Sequence, residues 1–119
     1  MDYIDGYVAA VPAANKDAYV AIARDAGKVF LEYGATRVVE SWGDDVPAGE
    51  VTSFAMAVKV KADEVVVFAF VTWPDKATRD TGHAKAAEDP RLNTGNVPPF
   101  DSKRMVYGGF QMVLDMSAD

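Results

Sequence analysis

The stretch FVTWPDKATRDTGHAKAAEDPR, residues 70–91, holds the single histidine of the chain, His83, with Asp80 three residues before it and Arg79 four. Residues three and four apart share one face of a helix, so Asp80 and His83 are placed to pair. A carboxylate against an imidazole orients the ring and steadies its protonated form, the arrangement of a general acid–base pair. A guanidinium on the same side opposes this by favouring the neutral ring. His83 and Asp80 are therefore the candidate catalytic residues, with Arg79 and Trp73 as candidate ligand contacts. No nucleophile adjoins the pair in sequence, so no triad assembles by inspection. The plainer expectation is a solvated helix face on which His83 is a surface residue.

A second set of residues is aromatic. Tyr3, Tyr7, Trp42, Trp73, Tyr107 and Phe110 all fall on predicted strands. They are expected to form sheet core and dimer interface, or else to wall a cavity for a flat ligand, with Tyr7 and Tyr107 as candidate wall residues. Asp5 lies in an apolar strand, and a carboxylate there needs a partner; Arg104 or Lys103 near the last strand is the expected one. Asp44, Asp45 and Glu50 share a loop, but without the regular alternation of a calcium loop they read as solvated acids, and no metal site is expected. The stretch VYGGFQMV looks like an aromatic RNA-binding motif. It lies on the fourth strand rather than the third, and lacks the basic opening residue.

These residues must be carried by elements that the pattern defines. YIDGYVAAV, Tyr3–Val11, alternates as a strand and stops at Pro12. Asn15 is placed to cap a helix from about Lys16 to Tyr33, whose stripe of Tyr19, Ile22, Ala23, Ala26, Phe30 and Tyr33 would face the core, with Gly34 as its stop. A strand is predicted at Thr36–Trp42, then an exposed loop over 43–50. From Val51 a short helical turn, capped by Thr52 or Ser53, is weighed against a strand. EVVVFAFVTW, Glu64–Trp73, is apolar on both faces and reads as a central strand covered on both sides. Asp75 caps a second long helix to about Glu88, with Gly82 inside it at a cost of ~1 kcal/mol relative to alanine. Residues 91–102 are irregular. The last strand is predicted over Arg104–Asp115, with Gly108 and Gly109 marking a bulge or a close approach.

The order gives an α+β, ferredoxin-like βαββαβ fold with a four-stranded antiparallel sheet, as one domain over residues 1–119. Helices on one face leave the other open, and an apolar open face points to a homodimer in which two sheets pack face to face. A formal charge of −6 disfavours a nucleic-acid track and an anionic membrane surface alike. The absence of cysteine removes disulfides and thiolate chemistry. No apolar run spans a bilayer and no signal peptide opens the chain, so a cytoplasmic location is expected.

YIDGYVAAVP, WGDDVPAGEVTSF, the RD and DPR around the second long helix, and PFDSKRMVYGGF together resemble the YbaA-like bacterial proteins. These form a domain-of-unknown-function family within the dimeric α/β-barrel superfamily. The resemblance implies a ferredoxin-like protomer and a homodimer, and it implies no established activity. Related branches of the superfamily, among them cofactor-free oxygenases and haem-processing proteins, use a pocket between sheet and helices. The expected function is a homodimer binding a small organic molecule in such a pocket, without a cofactor, as a binding protein or an enzyme. The alternative is a non-enzymatic structural or stress-related module whose barrel is filled.

Overall fold

The computed structural model describes residues 2–118. In chain order they form β1 (Tyr3–Pro12), α1 (Lys16–Glu32), β2 (Arg37–Trp42), α2 (Phe54–Ala57), β3 (Glu64–Trp73), α3 (Lys76–Glu88) and β4 (Val106–Gln111). The strands make one antiparallel sheet ordered β2-β3-β1-β4, the ferredoxin-like arrangement. β3 is central because its valines and phenylalanines fill both faces. Its Val67, Val71 and Trp73 pack toward α1 and α3, and its Val66 packs toward α2 on the other face.

Alternation along β1 sends Tyr3, Asp5, Tyr7, Ala9 and Val11 toward the long helices. The register then stacks residues in rows across the sheet. Tyr107, Tyr7, Ala69 and Glu40 form one row, and Gly109, Asp5, Val71 and Val38 the next. The opposite face carries Phe68 and Val106, 45% and 46% exposed, and Phe110, 57% exposed. α2 covers only one end of this face, around Ala10, Val58 and Val66.

Four local expectations are corrected. β4 ends at Gln111 rather than Asp115, because Gln111 pairs with Tyr3, where β1 begins, and only one further backbone bond, Met112 N to Asp2 O, follows. At its start, Asp101 accepts a hydrogen bond from Lys103 N and caps a 3-10 turn over Ser102–Arg104, so the strand opens at Val106. Asn15 does not cap α1 with its side chain: a 3-10 turn leads into the helix, and Asn15 Nδ2 donates instead to Pro99 O at 2.8 Å. Ile22, expected in the buried stripe, is exposed. By contrast, Ser53 caps α2 and Asp75 caps α3, each accepting from the backbone N–H three residues on.

Gly108 and Gly109 form no bulge, since β1 and β4 pair without interruption. Gly109 instead permits a close approach. A Cβ there would lie 2.5 Å from the Tyr3 hydroxyl and 2.8 Å from Arg79 Nη2. Gly82 has an equally specific reason. Its missing Cβ would sit 2.5 Å from Trp73 Cζ3, so the glycine lets α3 settle directly on the indole.

Candidate functional site

Asp5 is the centre of the first constellation. It is 2% exposed, and an ionised carboxylate that deep must be paired and hydrogen-bonded. Arg79 Nε donates to Oδ1 at 3.0 Å, and Nη2 lies 2.8 Å from the same oxygen in an ion pair. Trp73 Nε1 donates to Oδ2 at 2.9 Å, and His83 Nε2 lies 2.8 Å from the same oxygen. The carboxylate thereby ties β1 to the end of β3 and to α3. The Asp5 hydrogen bonds hold the Arg79 guanidinium firmly charged, against the opposing effect of its partial burial. Its plane also sits over the Tyr3 ring, 5.3 Å from the centroid. The His83 ring packs edge-on to Trp73 at 5.6 Å and against Phe30 at 6.0 Å.

The neighbouring row builds the second constellation. Ala69 is its small central member, and Tyr7 and Glu40 flank it from the adjacent strands. Above it, α1 presents Ala23, Ala26 and Gly27, again without bulk. Small residues on both sides leave a cavity of about 160 Å³ between sheet and helix, walled further by Phe30, Val38, Val67, Val71 and Met105. Its polar side chains are Tyr7, Tyr19 and Glu40. Tyr19 donates its hydroxyl to Glu40 Oε1 at 2.6 Å. A groove outside α1 shares Ala23, Gly27, Val38 and Glu40 with this cavity and adds Arg24 and Lys28, so Glu40 stands at the mouth.

The electrostatics follow from that placement. Burial first, then the Asp5 charge, push the Tyr7 hydroxyl up to about 12; Arg79 pulls it back and Glu40 adds to the rise. Tyr19 is raised further by burial and by its bond to Glu40. Glu40 keeps contact with solvent at the mouth. The wall still removes enough water from its carboxyl to hold it above the ordinary carboxylate range, and the Tyr19 bond only partly offsets this. Among the described residues, no group of three or more carboxylates and histidines is placed to hold a metal ion. Nor is any helix among the described residues long and apolar enough to cross a membrane.

A family model described as a protein of unknown function, DUF1428, matches residues 2–102. The chain belongs to this family. It is 50% identical over 116 residues to the uncharacterized protein YbaA of Escherichia coli K12, covering 97% of this chain and 99% of that protein. The same figures hold for the YbaA protein of Shigella flexneri. Among solved structures it is similar to a mutant form of SnoaB, a cofactor-independent oxygenase from Streptomyces nogalater. The TM-score is 0.62 at 12% identity, over 98% of both chains. A NIPSNAP domain protein from Burkholderia xenovorans gives 0.61 at 15% identity, over 98% of this chain and 99% of that one. A dimeric ferredoxin-like protein from an uncultured marine organism gives 0.58 at 8% identity, over 99% and 100%. At these identities the likenesses establish the fold.

Within this member of the family, the residues singled out from the sequence separate. His83, Arg79 and Trp73 meet at Asp5, whereas Asp80 faces outward, 2.9 Å from Lys76 Nζ and 3.0 Å from Arg79 Nη1. Helical side chains lean toward the N-terminus, so Asp80 reaches back one turn to Lys76 and away from His83. His83 is not a fully solvated residue; its side chain is 35% exposed. Asp5 does not pair with Arg104 or Lys103. Arg104 precedes Val106, which pairs with Val8 at the opposite end of the β1–β4 ladder from Asp5 and Gly109. It binds Glu64 at 2.6 Å and Asp101 at 3.1 Å instead. Tyr7 lines the cavity, while Tyr107, in the same row on the edge strand, is 71% exposed and outside it. Tyr19 and Glu40 were missed as site residues. Alternation in RVVESW signalled Glu40, since it puts that carboxylate on the inward side with Val38 and Trp42.

Proposed function

We propose that the protein binds a small organic molecule in the cavity above Ala69, acting as a homodimer and without a cofactor. The observation that carries this reading is the cavity itself, an apolar chamber with few polar groups at its edges, the usual make-up of a ligand pocket. Its volume, about 160 Å³, suits one small molecule better than a filled barrel does. The fold it shares with a cofactor-independent oxygenase is compatible with chemistry in such a place, though fold alone assigns none.

In this reading the Asp5 network positions the pocket rather than touching the ligand. His83 and Arg79 hold the Asp5 carboxylate two residues from Tyr7 on the same strand face, and Asp80 braces Arg79 from outside. Any acid–base role of His83 then runs through Asp5, in place of the Asp80 partnership that the helix spacing suggested. Phe30 lines the chamber and packs on its other side against Trp73 and His83. The dimer would form through the open sheet face, where Phe68, Val106 and Phe110 stand exposed.

A thermal-shift screen with ring-sized organic molecules tests the reading. Ligands that stabilise the native protein should fail to stabilise Ala69→Leu, whose branched side chain fills the chamber. Equal stabilisation of both proteins would rule the chamber out as the site.

A further inference from the structure

Tyr7 and Glu40 pair with Ala69 from opposite sides, so their Cα atoms are about 10 Å apart, two strand spacings. Both side chains are long enough to lean over the alanine between them. The described residues give the Tyr7 hydroxyl no hydrogen-bond partner, and they engage Glu40 only through Oε1. Neither group is sealed off: Glu40 is exposed, and since no fully buried side-chain nitrogen or oxygen lacks a partner among the described residues, the unpartnered Tyr7 hydroxyl reaches open space. Both residues line the cavity, and Glu40 also lines the groove outside α1.

We propose that the ligand is a single aromatic ring bearing a hydroxyl group, which donates a hydrogen bond to Glu40 and accepts one from Tyr7. The inference rests on the small-molecule reading above and narrows it to a chemical class. Size sets the ring count. The chamber of about 160 Å³ is close to the ~150 Å³ engineered apolar cavity that takes up benzene, so the chamber itself holds one ring. Composition sets the ring type, because Phe30 offers an aromatic wall and Met105 a thioether, both favourable against a π-face. The hydroxyl follows from hydrogen-bond supply. A carboxylate oxygen only accepts, a tyrosine both donates and accepts, and a phenolic O–H placed between them satisfies each. The Glu40 carboxylate is the stronger partner, as ionised acceptors make bonds about twice as strong as neutral ones.

Phenol and toluene separate the possibilities, because they match in shape and differ in the hydroxyl. An apolar chamber with no polar partner in reach must favour toluene, since burying a hydroxyl without a hydrogen bond is costly. Binding is followed by NMR of the Ala69 and Met105 methyl groups. The expected result is that phenol binds about tenfold more tightly than toluene, as one hydrogen bond to a charged group allows. Glu40→Gln, which keeps an acceptor for Tyr19, should cut that preference about fivefold. Toluene binding more tightly than phenol would overturn the inference and leave the pocket in place. A phenol preference unchanged in Glu40→Gln would remove Glu40 from its role. If neither molecule perturbs the two methyl signals, the small-molecule reading falls as well.

Discussion

Replacing Asp5 by alanine should be among the most damaging single changes in this protein. The substitution removes one carboxylate, strands two donors, Trp73 Nε1 and the Arg79 guanidinium, and leaves His83 Nε2 without its carboxylate contact. Removing one partner of a buried ion pair costs about 3–5 kcal/mol. The lower end applies here. The Arg79 side chain is 21% exposed and retains Asp80, so the released cation recovers part of its solvation. Trp73 is different, for it is 0% exposed and its orphaned N–H has no route to water; an unmet buried donor costs about 1–3 kcal/mol. These terms share atoms and are not additive, so the expected loss is about 3–4 kcal/mol, a large part of a usual folding free energy of ~5–15 kcal/mol. Asp5→Asn keeps the shape and an acceptor for Trp73, and should cost about 1 kcal/mol less. Urea unfolding followed by tryptophan fluorescence reads both, at fixed protein concentration because a dimer's transition moves with concentration. A loss below about 1 kcal/mol for Asp5→Ala would refute the argument that this carboxylate locks α3 to the sheet.

Gly82→Ala should destabilise, although helix propensity alone would gain about 1 kcal/mol; the new methyl meets the immobile Trp73 ring at 2.5 Å, and overpacking of ~1–3 kcal/mol wins. A melting temperature raised by this change would show the contact to be soft. Arg104 holds the Glu64 carboxyl down at about 2. A depressed carboxylate contributes stability above its unfolded pKa of about 4.3 and loses it as pH falls through the folded value. Thermal stability should therefore fall between about pH 4.5 and 2, and Glu64→Gln should flatten that part of the profile; equal slopes for both proteins would contradict it. Phe68→Asp on the open sheet face should turn a dimer into a folded monomer of half the mass in sedimentation, and a native protein that sediments as a monomer would remove the dimer from the account.

The fold was legible because its signals are local and redundant. The β-branched run of β3, the Asp75 and Ser53 caps and the glycine after α1 each name an element without needing the rest. The site was legible only in its parts. Sequence spacing joined His83 to Asp80 because both lie on one helix. The true partner, Asp5, comes from a strand that the pattern cannot dock against α3. Asp5 itself was flagged as a carboxylate needing a cation, but the cation depended on β4's register, which puts Arg104 at the wrong end. The cavity was invisible for a related reason. It arises from absent bulk at Ala69, Ala23, Ala26 and Gly27, and small residues announce space only once sheet and helix are superposed. Gly82 read as a flaw in a helix until Trp73 lay beneath it.

The most direct test of the pocket is a crystal of the protein held under xenon pressure. Xenon enters empty apolar chambers and scatters strongly, so it needs no knowledge of the ligand. An anomalous peak is expected between Ala69 and Gly27, bounded by Phe30 and Met105, and it should vanish in Ala69→Leu. A chamber found filled by those side chains, with no peak above Ala69, would contradict the central claim.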